Sequence, residues 1–415
     1  MNENRVDYLV AGASHAALSA LAAIRMHDPA GSLAVLAREG HLPYSPTVLP
    51  YVVSGRSAPD RVALKPAEYF ARNNIAFLAK HALQSIDACA KRVHFADGGT
   101  MAYGKLLLAT GATPIIPPIP GLKEVKFHVL RTLDDAMALH AALPRTRAAV
   151  VLGAGLIGMH AAENLAKTGA AVTVVEMQPQ VLPGYFDSEA AGIIASVFAD
   201  NGVRLLLGHK VEKLANSVAG CTLTLADGST LDADLLLVAT GVAPVIDYLA
   251  GSGVATERGI LVDTSMQSSV ADIYAAGDVA QAQGFYDGRP LVGGILPDAV
   301  EQGRIAGMAM AGDPAAPAYP GSVPLNTYAF FGQQALSVGS QSAGEVVLQE
   351  SSGREYLKIV MQDGRLTGIF GINRPFDAGI MWQLILRRTD LSAVREQFIT
   401  EPQKTARQLM SKLWR

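Results

Sequence analysis

The chain has 415 residues, 50% of them hydrophobic, 40 glycines and a formal net charge of −3. That length exceeds one ordinary core, so two or three domains are expected, and the charge speaks against nucleic acid, which favours strongly basic faces. "MNENRVDYLV" has no basic region ahead of an apolar stretch, and no run of about 18 apolar residues occurs, so neither a secretory signal nor a membrane span is expected and the protein reads as cytoplasmic.

The first predicted unit is "DYLVAGASHAALSALAAIR" (7–25), an apolar strand, a small-residue turn and a helix. Its glycine pattern is reduced to Gly12, Ser14 and Ala17, with Ala13 between. Alanine suits the third place, which governs helix–strand packing, and the Ser14 hydroxyl could itself bond a phosphate oxygen. A strand–helix pair that has lost its ligand is the competing reading. The next strand, "SLAVLAREG", offers Glu39 as the acid for a ribose. It is followed by "HLPYSPTVLPYVVSG" (41–55).

Two "ATG" turns, "KLLLATGATP" (105–114) and "DLLLVATGVAP" (234–244), each end an apolar strand and place Thr110, Gly111 and Gly241 close to a nucleotide. The proline-rich "PIIPPIPG" (114–121) reads as a stiff crossover. Between the turns lies the strongest signal, "AAVVLGAGLIGMHAAENLAKTGAAVTVVE" (148–176). A strand to Leu152 precedes Gly153, Gly155 and Gly158, a helix runs through Leu156 and Ile157 to about Lys167, and a second strand ends in Glu176. Those glycines are expected to give a tight turn, backbone approach to a pyrophosphate and close helix packing, with the pyrophosphate on the helix N-terminus. Glu176 should bind the ribose hydroxyls of NAD and repel the extra phosphate of NADP.

Further on, "DIYAAGDVAQA" (272–282) delivers Gly277 and Asp278 to a turn. "LPDAVEQGRIAGMAMAG" (296–312) is expected to be a helix starting near Pro297 or Asp298. After a linker (313–324), about 90 residues alternate like an antiparallel sheet and end in helices with a basic tail carrying Lys404, Arg407, Lys412, Trp414 and Arg415. A solvated amphipathic helix and a docking helix are both open there. Cys89 and Cys221 read as buried small hydrophobes. Two cysteines cannot hold an iron–sulfur cluster, which usually takes four thiolates.

The motifs occur in the order of the two-dinucleotide-binding flavoproteins, the FAD-dependent pyridine nucleotide–disulfide reductases and their thiol-free relatives, and the chain resembles that family over essentially its whole length. The resemblance implies an α/β fold with two Rossmann-like domains, for FAD (1–115 and 245–320) and for NAD(H) (116–244), and a C-terminal α+β interface domain (321–415). It implies that the first glycine loop cradles the FAD pyrophosphate, that Asp278 bonds the ribitol, that Arg131 in "LRTLDDA" lies against the FAD adenosine part, and that the helix at Pro297 points its positive end at the flavin. "HLPYSPTVLPYVVSG", "GLIGMHAAENL" and "VPLNTYAFFG" are similar to the flavoprotein subunits of NADH-linked phenylglyoxylate dehydrogenases, iron–sulfur 2-oxoacid oxidoreductases of anaerobic aromatic degradation.

Two departures matter. Relatives that reduce disulfides or peroxides keep a cysteine where Thr47 stands, after Pro46, and threonine cannot accept electrons as a thiolate–disulfide couple does. Most relatives have a glutamate at the position of His160, which is either a nicotinamide contact or a helix histidine lining the groove. The expectation is a flavin-mediated hydride transfer with no acid–base catalyst, in which electrons pass between NAD and the iron–sulfur subunits of a 2-oxoacid oxidoreductase complex. A freestanding ferredoxin or rubredoxin reductase is the alternative; a non-catalytic structural or sensing subunit is a remote one.

Overall fold

The computed structural model describes residues 5–218 and 220–413; of the sequence readings above, "MNEN", Trp414 and Arg415 lie outside the described residues, as does the side chain of Lys412. In chain order, the elements used below are β1 (Arg5–Ala11), α1 (His15–His27), β2 (Leu33–Ala37), β3 (Ile75–Ala79), β4 (Thr100–Leu108), β5 (Ala148–Leu152), α2 (Leu156–Lys167), β6 (Ala171–Glu176), α3 (Ser188–Asp200), β7 (Val203–Leu207), β8 (Leu235–Val238), β9 (Ile273–Ala275) and α4 (Leu296–Ala311). They are followed by β10 (Leu325–Phe330), β11 (Gln333–Gly339), β12 (Glu345–Ser352), β13 (Glu355–Gln362), β14 (Arg365–Ile372), α5 (Ala378–Leu386) and α6 (Pro402–Leu413).

The chain divides into two units, the first made of residues 1–48, 60–113 and 242–322, the second of 49–59, 114–241 and 323–415. In the first, β3, β2, β1, β4 and β9 pair in parallel, in that order across the sheet. Strands buried on both faces must be apolar throughout, which is why β2 reads "LAVLA" without alternation. Helix α1 turns Ala16, Ala17, Ala20, Leu21, Ala23 and Ile24 inward, a spacing of three and four. It lies against α4 at unusually short range: a Cβ on Gly303 would fall 2.1 Å from the Ala16 carbonyl oxygen, and one on Gly307 2.6 Å from that of Ala20. The two glycines, one turn apart, let the backbones touch.

In the second unit β7, β6, β5 and β8 form a parallel sheet in that order. An antiparallel sheet follows, ordered β10, β11, β14, β13, β12, as the alternating C-terminal sequence implied. Helix α3 is capped by Asp187, whose carboxylate accepts the Ala190 N–H. The same carboxylate accepts the Tyr356 hydroxyl and, at 3.1 Å, the ammonium of the buried Lys358 on β13. The parallel sheet's helical layer and the C-terminal sheet are thus joined by a charged cluster, with a second ion pair from Arg354 to Asp200 at the end of α3. Among the described residues no helix is long and apolar enough to cross a membrane.

Candidate functional site

The three glycines after β5 do three different things. Gly153 has φ +101°, and a Cβ there would lie 2.4 Å from the Ala239 oxygen, so only glycine makes the turn past the end of β8. Gly158 packs α2 on the strand, its Cβ position being 2.1 Å from the Gly153 oxygen. Gly155 has nothing within 4 Å of its Cβ position; it is the N-cap of α2 and provides no side-chain cap. The first N–H groups of the helix, contributed by Leu156 and Ile157 among others, therefore start beside open space in which a side chain would intrude. That is the form an anion needs at a helix start. Glu176, last residue of β6, reaches back over the loop: Oε2 accepts the Ala154 N–H and Oε1 the Gln178 N–H, both at 2.8 Å. A carboxylate beside an uncapped helix start, and no arginine nearby in "EMQPQ", fits a ribose diol better than a ribose phosphate. Gly241, with φ +110°, turns the chain after β8 and its carbonyl accepts the Ile115 N–H.

The first unit repeats the arrangement with different residues. Gly12, φ +117°, turns at the end of β1 where a Cβ would meet the Ala109 oxygen at 2.0 Å. Ala13 follows, then Ser14, the N-cap of α1, which gives no cap of its own. The Ser14 hydroxyl donates to the Tyr44 carbonyl at 3.3 Å, so it fastens the loop after β2 to the glycine turn. Ala17, buried, supplies the close packing expected of the third place. Glu39 accepts the Tyr44 hydroxyl at 2.7 Å, while His15 Nε2 and Ser45 Oγ lie 2.8 Å apart and Ser45 Oγ is 2.7 Å from Thr47 Oγ1. Burial holds the His15 imidazole below its usual proton affinity. Thr110 Oγ1 meets the Tyr248 hydroxyl at 2.8 Å, and the Gly111 carbonyl accepts the Val245 N–H. Gly277, φ +77°, has the side chains of Ala16 and Ala299 at 3.3 and 3.6 Å from where a Cβ would stand and donates its N–H to Gln302 Oε1, placing Asp278 where β9 meets the starts of α1 and α4. Helix α4 begins at Leu296, one residue before Pro297, again without a side-chain cap.

Thus Gly12, Ala13, Ser14, Ala17, Thr110, Gly111, Gly277, Asp278 and Pro297 gather at the carboxyl ends of parallel strands, the place where open α/β sheets bind ligands. Two uncapped helix starts there suit a pyrophosphate and an electron-rich ring. Arg131 belongs to the second unit, just before a helix at Leu133–Ala142, and its backbone N–H donates to Asp135. Pro46 and Thr47 form a single 3-10 turn, and Thr47 is exposed. Cys221 is buried as expected, but Cys89 is not: it lies in an exposed hairpin turn after Asp87, whose carboxylate accepts the Ala90 N–H. The apolar look of "SIDACAK" hid a turn set by that aspartate.

His160 sits one turn into α2, its ring edge-on to Tyr328 with centroids 4.7 Å apart. Glu163, on the same face and 6% exposed, accepts the Phe331 N–H at 2.8 Å and pairs with Lys167. Burial lowers the proton affinity of His160, the Glu163 charge opposes that and Arg56 adds to it; the net direction is down, toward a neutral ring. The Tyr44–Glu39 and Gly277–Gln302 links were missed in the sequence; a tyrosine five residues after an acid and a glutamine in the second turn of a glycine-rich helix were the available signals.

The family model for pyridine nucleotide-disulphide oxidoreductases matches residues 6–306. The chain is 55% identical over 413 residues, 98% of both chains, to the NADH-dependent phenylglyoxylate dehydrogenase subunit epsilon of Aromatoleum evansii. It is 30% identical over 308 residues, 73% of this chain and 80% of the other, to a rubredoxin-NAD(+) reductase of Pseudomonas putida. A solved ferredoxin reductase from Rhodopseudomonas palustris superimposes with TM-score 0.81 at 28% identity, covering 89% of this chain and 91% of that one. The chain belongs to the pyridine nucleotide-disulphide oxidoreductase family, as an FAD-dependent enzyme that exchanges electrons with NAD(H).

Proposed function

We propose that this chain is the NAD(H)-linked flavoprotein subunit of a phenylglyoxylate dehydrogenase-type 2-oxoacid oxidoreductase complex, carrying electrons between an iron–sulfur protein subunit and NAD in the cytoplasm. The observation that carries this reading is identity of 55% over 98% of both chains with such a subunit; Thr47, where the family resemblance leads one to expect a redox cysteine in disulfide-reducing relatives, agrees with it. Residues 1–115 and 245–320 take FAD, 116–244 take NAD(H) and 321–415 form the interface. FAD supplies the chemistry of accepting a hydride and releasing single electrons. The chain's own groups bind and orient. Gly12, Ala13, Ser14 and Ala17 hold a pyrophosphate, Glu39 and Arg131 the adenosine part, Thr110, Gly111, Gly277 and Asp278 the ribitol side, and the start of α4 at Pro297 faces the ring. Pro46 and Thr47 line the flavin without reacting. Gly153, Gly155, Leu156, Ile157, Gly158 and Gly241 hold the NAD phosphates, Glu176 the ribose, and His160 contacts the nicotinamide end.

The test is purification from the native source under anaerobic conditions. A yellow chain with iron–sulfur subunits, bleached by NADH far faster than by NADPH, supports the reading. Rapid disulfide or peroxide turnover by the lone chain contradicts it. A bleachable monomer or homodimer without larger partners favours a freestanding ferredoxin or rubredoxin reductase instead.

A further inference from the structure

Asp298, the third residue of α4, is 3% exposed. The Ser322 hydroxyl donates to its Oδ2 at 2.5 Å. Tyr319, 2% exposed, faces Asp298, Gln302 and Ser322, and its hydroxyl makes no well-formed hydrogen bond among the described residues. The loop before the helix closes on the carboxyl, since a Cβ at Gly293 would lie 2.0 Å from Asp298 Oδ2 and 2.9 Å from Ser322 Oγ. Among the described residues no cation pairs with Asp298; the titratable groups facing it are Tyr319, from the linker, and Asp278, from the turn after β9. From helix α1, the backbone of Ala16 and Ala20 and the side chain of Ala23 lie against α4, and the Ser19 hydroxyl donates to the Val300 carbonyl.

An ionised carboxylate in such a place is costly: it has lost water, has one well-formed side-chain donor with the Tyr319 hydroxyl only nearby, and has a like charge rather than a counter-ion beside it. Burial accordingly pushes the Asp298 carboxyl up to about 6; the Ser322 and Tyr319 hydroxyls pull it down, and Asp278 pushes it further up. One turn on, Gln302 holds the N–H of Gly277 next to Asp278, so the carboxyl is built into the same corner as the residues assigned to the flavin.

We propose that Asp298 is a proton-accepting residue coupled to the redox state of the flavin, a role that rests on the reading that the first unit holds FAD. When NADH is oxidised to NAD+, its hydride brings two electrons and one proton to the flavin. The added negative charge in this corner draws one further proton from solvent onto the Asp298 carboxylate, where an O–H bond forms; no bond in the protein breaks. Asp298 thus offsets the charge that the uncapped end of α4 would otherwise face alone. On reoxidation the proton returns to solvent.

The experiment is a spectroelectrochemical titration of the FAD-loaded full chain from about pH 5 to about pH 8, against Asp298→Asn. Above about pH 6 the native protein is expected to take up more protons per two electrons than the variant, by up to one, the two converging near about pH 5 where the carboxyl is already protonated. If Asp298→Asn does not retain flavin, a pH-indicator dye read during electrochemical reduction of the native protein and of Ser322→Ala gives the same quantity. Equal proton uptake by native and variant protein across the range overturns the coupling. A second readout needs no flavin: the stability of the apoprotein relative to Asp298→Asn should fall as pH rises. A carboxyl whose folded-state proton affinity exceeds its unfolded one contributes stability at low pH and loses it on passing about 6. A pH-independent difference overturns the buried proton site itself. A chain that takes up no FAD overturns the functional reading and, with it, the coupling, while the apoprotein titration still decides the proton site.

Discussion

Glu176 Oε2 accepts the backbone N–H of Ala154 at 2.8 Å, so the acid that ends β6 is held against the glycine turn that ends β5. Because Oε1 is taken by Gln178, the carboxylate cannot swing away without leaving two N–H groups without acceptors. Its charge is therefore fixed at the edge of the loop. NADPH, with a phosphate on the ribose, should bind at least about tenfold more weakly than NADH, a difference of about 1.4 kcal/mol. Glu176→Arg should reverse that order, and Glu176→Gln should weaken NADH binding while relaxing the discrimination. Fluorescence titration of the holoprotein with each nucleotide checks this; equal native affinities would remove Glu176 from the ribose.

The contact between α1 and α4 makes a second test. Gly303 leaves no room for a methyl group, because the obstacle is the Ala16 carbonyl rather than a flexible side chain. Gly303→Ala must push the helices apart. Overpacking of this kind costs about 1–3 kcal/mol, and Gly277 and Asp278 would shift with the helix starts. The expectation is a lowered unfolding midpoint together with weaker FAD retention. Gly312→Ala, at an open left-handed C-cap of the same helix, should cost less and leave flavin binding alone.

How far the sequence carried these assignments follows from the range of the interactions. Strand, turn and helix around Gly12 and around Gly153 were readable because an apolar run, a glycine with positive φ and a helix lie within about thirty residues. The hydrogen bond from Ser14 to Tyr44 was not, because it depends on a loop folding back from 30 residues downstream. The same holds for Asp298, whose burial is decided by Gly293 and Ser322 on segments before and after the helix. The grouping of residues 49–59 with the second unit leaves no mark in composition either, since "LPYVVSG" reads as an ordinary continuation of what precedes it.

The Asp187 cluster predicts an acid-sensitive second unit. Burial alone would raise this carboxyl, but the Tyr356 hydroxyl, the Ala190 N–H and the Lys358 ammonium outweigh it, and its proton affinity ends below the ordinary value of 3.8. The stability it contributes is therefore complete above about pH 4 and is lost as pH falls through its lowered folded-state value. Asp187→Asn keeps an oxygen for the cap yet leaves Lys358 buried without a counter-charge. Discounted for partial exposure of the pair, the loss should be about 2 kcal/mol at neutral pH. Urea unfolding of native and variant protein at neutral and acid pH should give curves that converge on acidification. A difference that stays constant would mean the pair contributes nothing electrostatic.

His160 gives the last prediction. Its ring is clamped edge-on by Tyr328 and held neutral by burial, so at neutral pH it can offer either a hydrogen-bond donor or an acceptor without carrying charge. If it positions the nicotinamide end of NAD(H), His160→Gln, which keeps a donor and an acceptor of similar reach, should leave the NADH affinity within about threefold, whereas His160→Phe should lose about tenfold, or about 1.4 kcal/mol. Both variants lose part of an aromatic contact worth about 1 kcal/mol, so thermal unfolding must be read alongside binding. His160→Phe preserves the edge contact with Tyr328 better than His160→Gln does. A purely structural histidine would therefore give the opposite order, with the phenylalanine variant nearer to native in both stability and NADH affinity.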